Sequence, residues 1–253
     1  MKRKFARPRL LFEDYAVKLG DKLIISDLHI GIDSELGIRN PNSSDIMLSK
    51  LEKLSRVSCK QLIILGDVKH SIITIDRDIW FFFNTVTEIF DKVIIVKGNH
   101  DGRLEKVLKK YSTVVVHGSR GFSDGSNYFF HGHAYPNPSA YNCNRIFMGH
   151  LHPIDFSMES ERAFFVCQVR EFNPSYFAKE RLQLPENSNE IKIEIIVLPS
   201  FNPVVPGKPN AIFTSKFFTN VFKDIAINVY SSSGIKTWAM DKWQRKRDVV
   251  ERS

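Results

Sequence analysis

Cysteine is scarce in this chain, and its three residues (Cys59, Cys143 and Cys167) are odd in number and far apart. That excludes a disulfide framework and points to reduced thiols in a cytoplasmic setting. Long hydrophobic runs are also missing. None approaches the roughly 20 residues a membrane span needs, so no membrane is expected as a partner. Behind the basic start Met1-Lys2-Arg3-Lys4-Phe5, the stretch Leu10-Leu11-Phe12 is too short for a signal-peptide core. Internal repeats, heptads and low-complexity segments are absent too. The remainder is an ordinary globular composition, 43% apolar and 25% charged over 253 residues, enough for one sizeable domain with a large core. The one bias is a net charge of +8, which favours polyanionic partners and gives modest support for nucleic acid.

The first half alternates strand and helix. A hairpin over Tyr15 to Ser26 feeds the strand Leu23-Ile24-Ile25, and a helix begins near Ser44, with Met47, Leu51, Leu54 and Val57 at helical spacing. Leu62 to Leu65 is a second strand. Asp76 opens a helix whose Ile79, Phe83, Val86 and Phe90 share a face. Val93 to Val96 is a third strand, followed by a short helix from Arg103 to Lys110 and a strand from Thr113 to Val116. Such alternation argues for a mainly parallel sheet with helices on both faces. The second half changes to short strands at 127–130, 145–148, 163–169, 191–198, 225–230 and 235–240, expected to pair antiparallel. Asn173 to Asn189 reads as an irregular surface excursion. The Val204–Asn210 loop, with its single cation Lys208, could rim the site, but a plain turn is the better reading. Two sheets packed face to face with helices outside account for the total. Residues 1–240 then form a single domain, with the motifs in 22–152, completing strands in 160–240, and a charged tail at 241–253.

The chemistry gathers at strand ends. Val93-Ile94-Ile95-Val96 turns at Gly98 straight into Asn99, His100 and Asp101; two further apolar strands end in Asp27-Leu28-His29 and in Gly66-Asp67. Phe129-Phe130 ends in His131, and Phe147-Met148 ends in Gly149-His150-Leu151-His152. Ligands in open α/β sheets bind at the carboxyl ends of strands. This mixture of carboxylate, amide and imidazole suits manganese, iron or zinc better than magnesium or calcium. Two metals need a shared ligand, and Asp67 on a central strand can bridge them with its two oxygens. A metal pair roughly 3.5–4 Å apart clamps the attacking and leaving oxygens of a displacement at phosphorus.

These motifs, in this order, resemble the calcineurin-like metallophosphoesterase superfamily. Asp27 to Gly31 and the closing Leu198-Pro199-Ser200-Phe201-Asn202-Pro203 are similar to the archaeal phosphoesterases related to the SbcD type of DNA repair nuclease. The resemblance implies a four-layer α/β/β/α sandwich and a centre with two divalent metal ions, with Mn2+ favoured over Fe, Zn, Ni or Co. Asp27, His29, Asp67 and His152 would hold one ion, and Asp67, Asn99, His131 and His150 the other. His131 is taken as ligand because it directly ends its strand; His133 stays open as the alternative, since residues two apart point the same way. His100 would assist the leaving oxygen, with Asp101 orienting its imidazole, while His70 either positions substrate or is an ordinary surface histidine. The expected function is a phosphodiesterase or nuclease acting on nucleic acid through hydroxide attack on phosphorus, with a helicase or other DNA-repair protein as partner. A small-molecule phosphatase or cyclic-nucleotide phosphodiesterase is the alternative. A non-catalytic scaffold is the third reading, against which stands the full set of ligands and His100.

Overall fold

The computed structural model describes residues 6–38, 42–56, 58–75, 77–155, 161–184, 193–208 and 211–241. The basic Lys2–Lys4 segment, the loop at 39–41, Val57, Asp76 and the tail from residue 242 lie outside the described residues. The first sheet is built from β1 (Arg9–Leu11), β2 (Ala16–Leu19), β3 (Lys22–Ile25), β4 (Gln61–Ile64), β5 (Lys92–Val96) and β6 (Val114–His117), side by side in that order. β3 to β6 run parallel, and β1 and β2 add an antiparallel edge. The second sheet comprises β7 (Phe122–Asp124), β8 (Asn127–Phe130), β9 (Arg145–Met148), β10 (Phe164–Phe172), β11 (Glu194–Val197), β12 (Phe222–Tyr230) and β13 (Lys236–Met240). Its spatial order is β13-β12-β10-β11-β9-β8-β7. It is mixed rather than antiparallel, because β9 pairs in parallel with both β8 and β11.

Helices α1 (Ile32–Glu35), α2 (Ser43–Ser55), α3 (Arg77–Ile89) and α4 (Leu104–Leu108) belong to the first sheet, and α5 (Pro174–Lys179), α6 (Ala211–Thr214) and α7 (Lys216–Val221) to the second. Alternating side chains divide each buried strand between two cores. Leu23, Ile25, Leu62, Ile64, Val93 and Ile95 pack with Met47, Leu51, Ile79 and Phe83 of the helices. Their neighbours Ile24, Ile63, Ile94 and Val96 turn the other way and meet Phe129, Phe147, Phe164 and Ile196 of the second sheet. Tyr128, Phe130, Ile146 and Met148 complete a third layer with Phe177, Phe217 and Phe218. The first sheet therefore carries helices on one face only, and the whole is a four-layer α/β/β/α sandwich. The irregular excursion expected at 173–189 contains α5, started by Asn173, whose side chain accepts from Ser175 N (3.2 Å), and by Pro174; it buries Tyr176 and Phe177. Among the described residues no helix is long and apolar enough to cross a membrane.

Phe147 lies at the centre of the contact between the sheets, fully buried and stacked on Phe129 at 5.2 Å between ring centroids. Phe147→Ala is expected to lower unfolding stability by about 3–5 kcal/mol. Denaturant titration should show a lower midpoint at an unchanged slope; a loss under about 1 kcal/mol would contradict the close packing of the sheets.

Candidate metal centre

β3, β4, β5, β8 and β9 all end at the same edge of the two sheets, and past each end the chain leaves strand geometry at once. The loops after β3 and β4 remain zipped together: His29 N donates to the Asp67 carbonyl at 2.8 Å and Ile30 N to the Val68 carbonyl at 2.9 Å. Asp27, His29, Asp67, His150 and His152 have φ of 55°, 42°, 49°, 68° and 45°. Left-handed backbone at a non-glycine residue costs on the order of 1–3 kcal/mol and persists only where its surroundings dictate it. Here it aims five successive functional side chains inward. Close approach of neighbouring loops then demands glycine. A Cβ on Gly98 would lie 2.1 Å from Asp67 Oδ1, and one on Gly149 would lie 2.7 Å from Asp27 Oδ2 and 1.6 Å from Ser26 Oγ.

The result is two adjoining clusters that contain carboxylates, Asp27–His29–His152 and Asp67–His131–His150, and a third of imidazoles alone, His29–His70–His100. Asp67 Oδ2 faces both of the first two, 3.6 Å from His29 Nε2 and 3.3 Å from His131 Nε2. Its other oxygen accepts the His100 N–H at 2.9 Å. A bridge would therefore run through one oxygen, not through both as the sequence suggested. His131 donates its Nδ1–H to the Leu65 carbonyl at 2.6 Å, which turns Nε2 inward. The Nε2 atoms of His29, His131 and His152 are all buried without a hydrogen bond. Buried imidazole nitrogens with no partner are costly, and three aimed at one pair of carboxylates form a donor set that fits divalent transition ions. Asn99, the remaining expected ligand, stands exposed at the turn between Gly98 and His100.

Charge is distributed as a cation site requires. Burial drives His29 and His150 down to about 4 despite the carboxylates near them, so both are neutral imidazoles at pH 7. Burial alone would raise Asp67 and Asp27. The facing histidines outweigh it, bringing Asp67 to about 2 and Asp27 well below the usual carboxylate range. Burial alone would lower His131, but Asp67 and Asp27 push it up to about 9. The two carboxylates thus keep a proton on His131, which places positive charge between them.

Asp101 does not orient the His100 ring. Fully buried, it accepts the Gly98 N–H on Oδ2 at 2.8 Å and the Val68 and Lys69 N–H groups on Oδ1 at 2.9 and 3.3 Å. It is a staple between the loops after β4 and β5, a role invisible without the fold. Burial pushes this carboxyl up to about 6, against the backbone bonds. His100 instead donates Nδ1–H to the carbonyl of His70. His70 belongs to the site: its Nδ1 lies 3.3 Å from His29 Nδ1, its ring stacks on His100 at 5.6 Å, and its Nε2 pairs with Glu35 at 2.8 Å. His133 is exposed, its ring 5.2 Å from that of His131, whereas His131 is fully buried and makes the inward contact. His117 stacks on Phe122 at 4.2 Å, apart from the site.

The sequence reading missed the brace behind the ligands. Ser200 Oγ donates to the Asp27 carbonyl at 2.8 Å and Asn202 Nδ2 to the Leu28 carbonyl at 2.6 Å. Phe201 N donates to the Ser26 carbonyl at 2.8 Å. Small polar residues between Pro199 and Pro203, directly after an apolar strand, were the available signal. Ser26 is a second such residue, donating to Asp27 Oδ2 at 2.5 Å.

Sandwich and centre together define a metal-dependent hydrolase. The profile of the calcineurin-like phosphoesterase superfamily domain matches residues 22–181. The chain belongs to that superfamily and is a hydrolase acting on phosphoester bonds, in a family that binds divalent metal. Among solved structures, Pseudomonas putida nuclease MPE shares 18% identity at a TM-score of 0.58, with 95% of this chain and 98% of that one covered. A protein of unknown function from Aquifex aeolicus shares 19% identity at a TM-score of 0.39, over 53% of this chain and 81% of that one. No curated protein matches significantly.

A metal held by His131 would have to displace the proton that His131 retains below about pH 9, so affinity should rise with pH. One displaced proton corresponds to about tenfold tighter Mn2+ binding per pH unit between about pH 6 and 8. Calorimetric titration in buffers of different ionisation enthalpy should register proton release. A flat affinity over that range would show that His131 is not the protonated ligand.

Proposed function

We propose that the protein is a two-metal-dependent phosphodiesterase acting on nucleic acid. The observation that carries this reading is the convergence of three buried Nε2 atoms, none of them in a hydrogen bond, on the carboxylates of Asp27 and Asp67. Asp27, His29 and His152 would hold one ion, Asp67, His131 and His150 with Asn99 the other, and Asp67 Oδ2 would be shared. Bound divalent ions supply charge stabilisation at the phosphoryl oxygens and a nucleophile ready at neutral pH. We favour Mn2+, from the mixture of oxygen and imidazole donors.

His100 does separate work. With Nδ1–H held on the His70 carbonyl, its Nε2 is the atom left to meet substrate, and an Nε2–H there would donate to the leaving oxygen. Its backbone N–H steadies Asp67, and its ring lies outside the two clusters that contain carboxylates, in the imidazole cluster with His29 and His70. Nucleic acid as substrate is supported by the net charge of +8 and by the fold shared with a Pseudomonas putida nuclease. The likeness of residues 198–203 to SbcD-related archaeal phosphoesterases adds to it, since those residues brace the Asp27 loop. A DNA-repair protein such as a helicase is the partner this reading implies.

A sugar alkoxide leaves poorly without a proton, whereas a nitrophenolate leaves readily. His100→Ala should therefore keep its metals and lose nucleic-acid cleavage by about 10²–10⁴-fold, with a much smaller loss on a nitrophenyl diester. The comparison needs metal content by elemental analysis and both rates. Metal loss, or equal losses on the two substrates, would remove His100 from the leaving-group role. Activity confined to monoesters across a panel of diester, monoester, DNA and RNA would overturn the proposed substrate.

A further inference from the structure

Beside His150 the surface opens into a cavity of about 330 Å³. This is the lower end of the range for ligand sites, roughly 300–1,000 Å³, and suits a group of nucleotide size. His133 and His150 form its wall on the metal side; Lys208, Tyr135, Thr214, Ser215 and Lys216 form the rest of its polar lining. Among the described residues no carboxylate lines it. The loop carrying Lys208 is more than a plain turn. Lys208 N donates to the His152 carbonyl at 2.8 Å, and Pro153 and Lys208 form a parallel bridge. Gly207 makes that approach possible, because a Cβ there would lie 1.8 Å from Ile154 Cγ2. A cation is thereby pinned to the loop that carries two proposed metal ligands.

The opposite wall is fixed independently. The Tyr135 hydroxyl accepts Asn220 Nδ2 at 2.7 Å and donates to the Lys216 carbonyl at 3.5 Å, and its ring lies 5.4 Å from that of Tyr176. Lys208 and Lys216 are exposed, and among the described residues neither has an ion-pair partner, whereas Lys97, Lys223 and Arg145 each hold a glutamate. Two free cations and an anchored aromatic ring, with no competing carboxylate among the described residues, match the backbone-gripping and stacking surfaces that receive single-stranded nucleic acid.

We infer that this cavity is the subsite for the nucleotide next to the scissile phosphate, with that nucleotide's own phosphate held by Lys208 and Lys216 and its ring system against Tyr135. The inference rests on the phosphodiester reading of the metal centre and extends it to the part of the substrate that does not react.

The test uses the full chain and a fluorescein-labelled single-stranded DNA of about ten nucleotides, with binding read by anisotropy in chelator so that nothing is cut. The double variant Lys208→Ala/Lys216→Ala should bind at least about tenfold more weakly, and its salt slope should become shallower by about 0.7 for each phosphate it no longer neutralises. Lys53→Ala, on the exposed side of α2, should change neither. With Mn2+ added, the double variant should lose oligonucleotide cleavage at limiting substrate at least about tenfold more than bis-nitrophenyl phosphate hydrolysis, which presents no second phosphate. Binding by the double variant within about twofold of wild type at an equal slope, or no binding by the wild type, would overturn the subsite. The underlying reading fails on a different result: wild-type protein with Mn2+ leaving both the nitrophenyl diester and the oligonucleotide intact.

Discussion

Two carboxylates buried together at the mouth of a sandwich govern this molecule. Asp27 is fully buried and Asp67 nearly so, and ionised groups leave water only when opposite charge meets them. That charge comes from the proton on His131 and from backbone N–H groups, those of His150 for Asp27 and of His100 for Asp67. Other peculiarities of the site follow from bringing five loops that close. The left-handed backbone at Asp27, His29, Asp67, His150 and His152 turns side chains inward, and Gly98 and Gly149 give up their Cβ to neighbouring carboxylates. Strain of this kind holds only inside a rigid frame. Three buried cores and the Asp101 staple supply that frame.

Much of the frame was legible in the chain because the signals are local. The runs at 62–65 and 93–96 are β-branched and leucine-rich, too short for helices, and each breaks off into glycine and polar chemistry, so strand ends and candidate ligands appear together. His131 was preferred to His133 from its position at the strand end; in the structure His131 is fully buried and bonded to the Leu65 carbonyl, and His133 is exposed. Three features were hidden because they depend on partners distant in sequence. Asp101 looked like a neighbour of His100, but its bonds go to Gly98, Val68 and Lys69. The parallel pairing of β9 with β11 joins strands almost fifty residues apart, as Glu194 opposite Arg145 shows. The brace from Ser200 and Asn202 reaches back to Asp27 and Leu28 across the molecule.

Phosphoester chemistry asks little of a protein beyond holding charge where charge will develop. The present chain meets that demand with a centre in which the carboxylates of Asp27 and Asp67 stand beside neutral His29 and His150 and one exchangeable proton on His131. Beside the centre lie a histidine that can serve the leaving oxygen and a basic cavity on the His150 side. In the proposed arrangement the reacting phosphate would stand apart from whatever follows it in the substrate, so that binding energy remote from the chemistry could be used for orientation.

The central claim is that Asp67 is shared by two metal ions. Anomalous diffraction from crystals grown with Mn2+ tests it most directly. The account predicts two peaks roughly 3.5–4 Å apart, one among Asp27, His29 and His152, the other among His131, His150 and Asn99, with Asp67 Oδ2 between them. A single peak, or two peaks of which only one contacts Asp67, would contradict it.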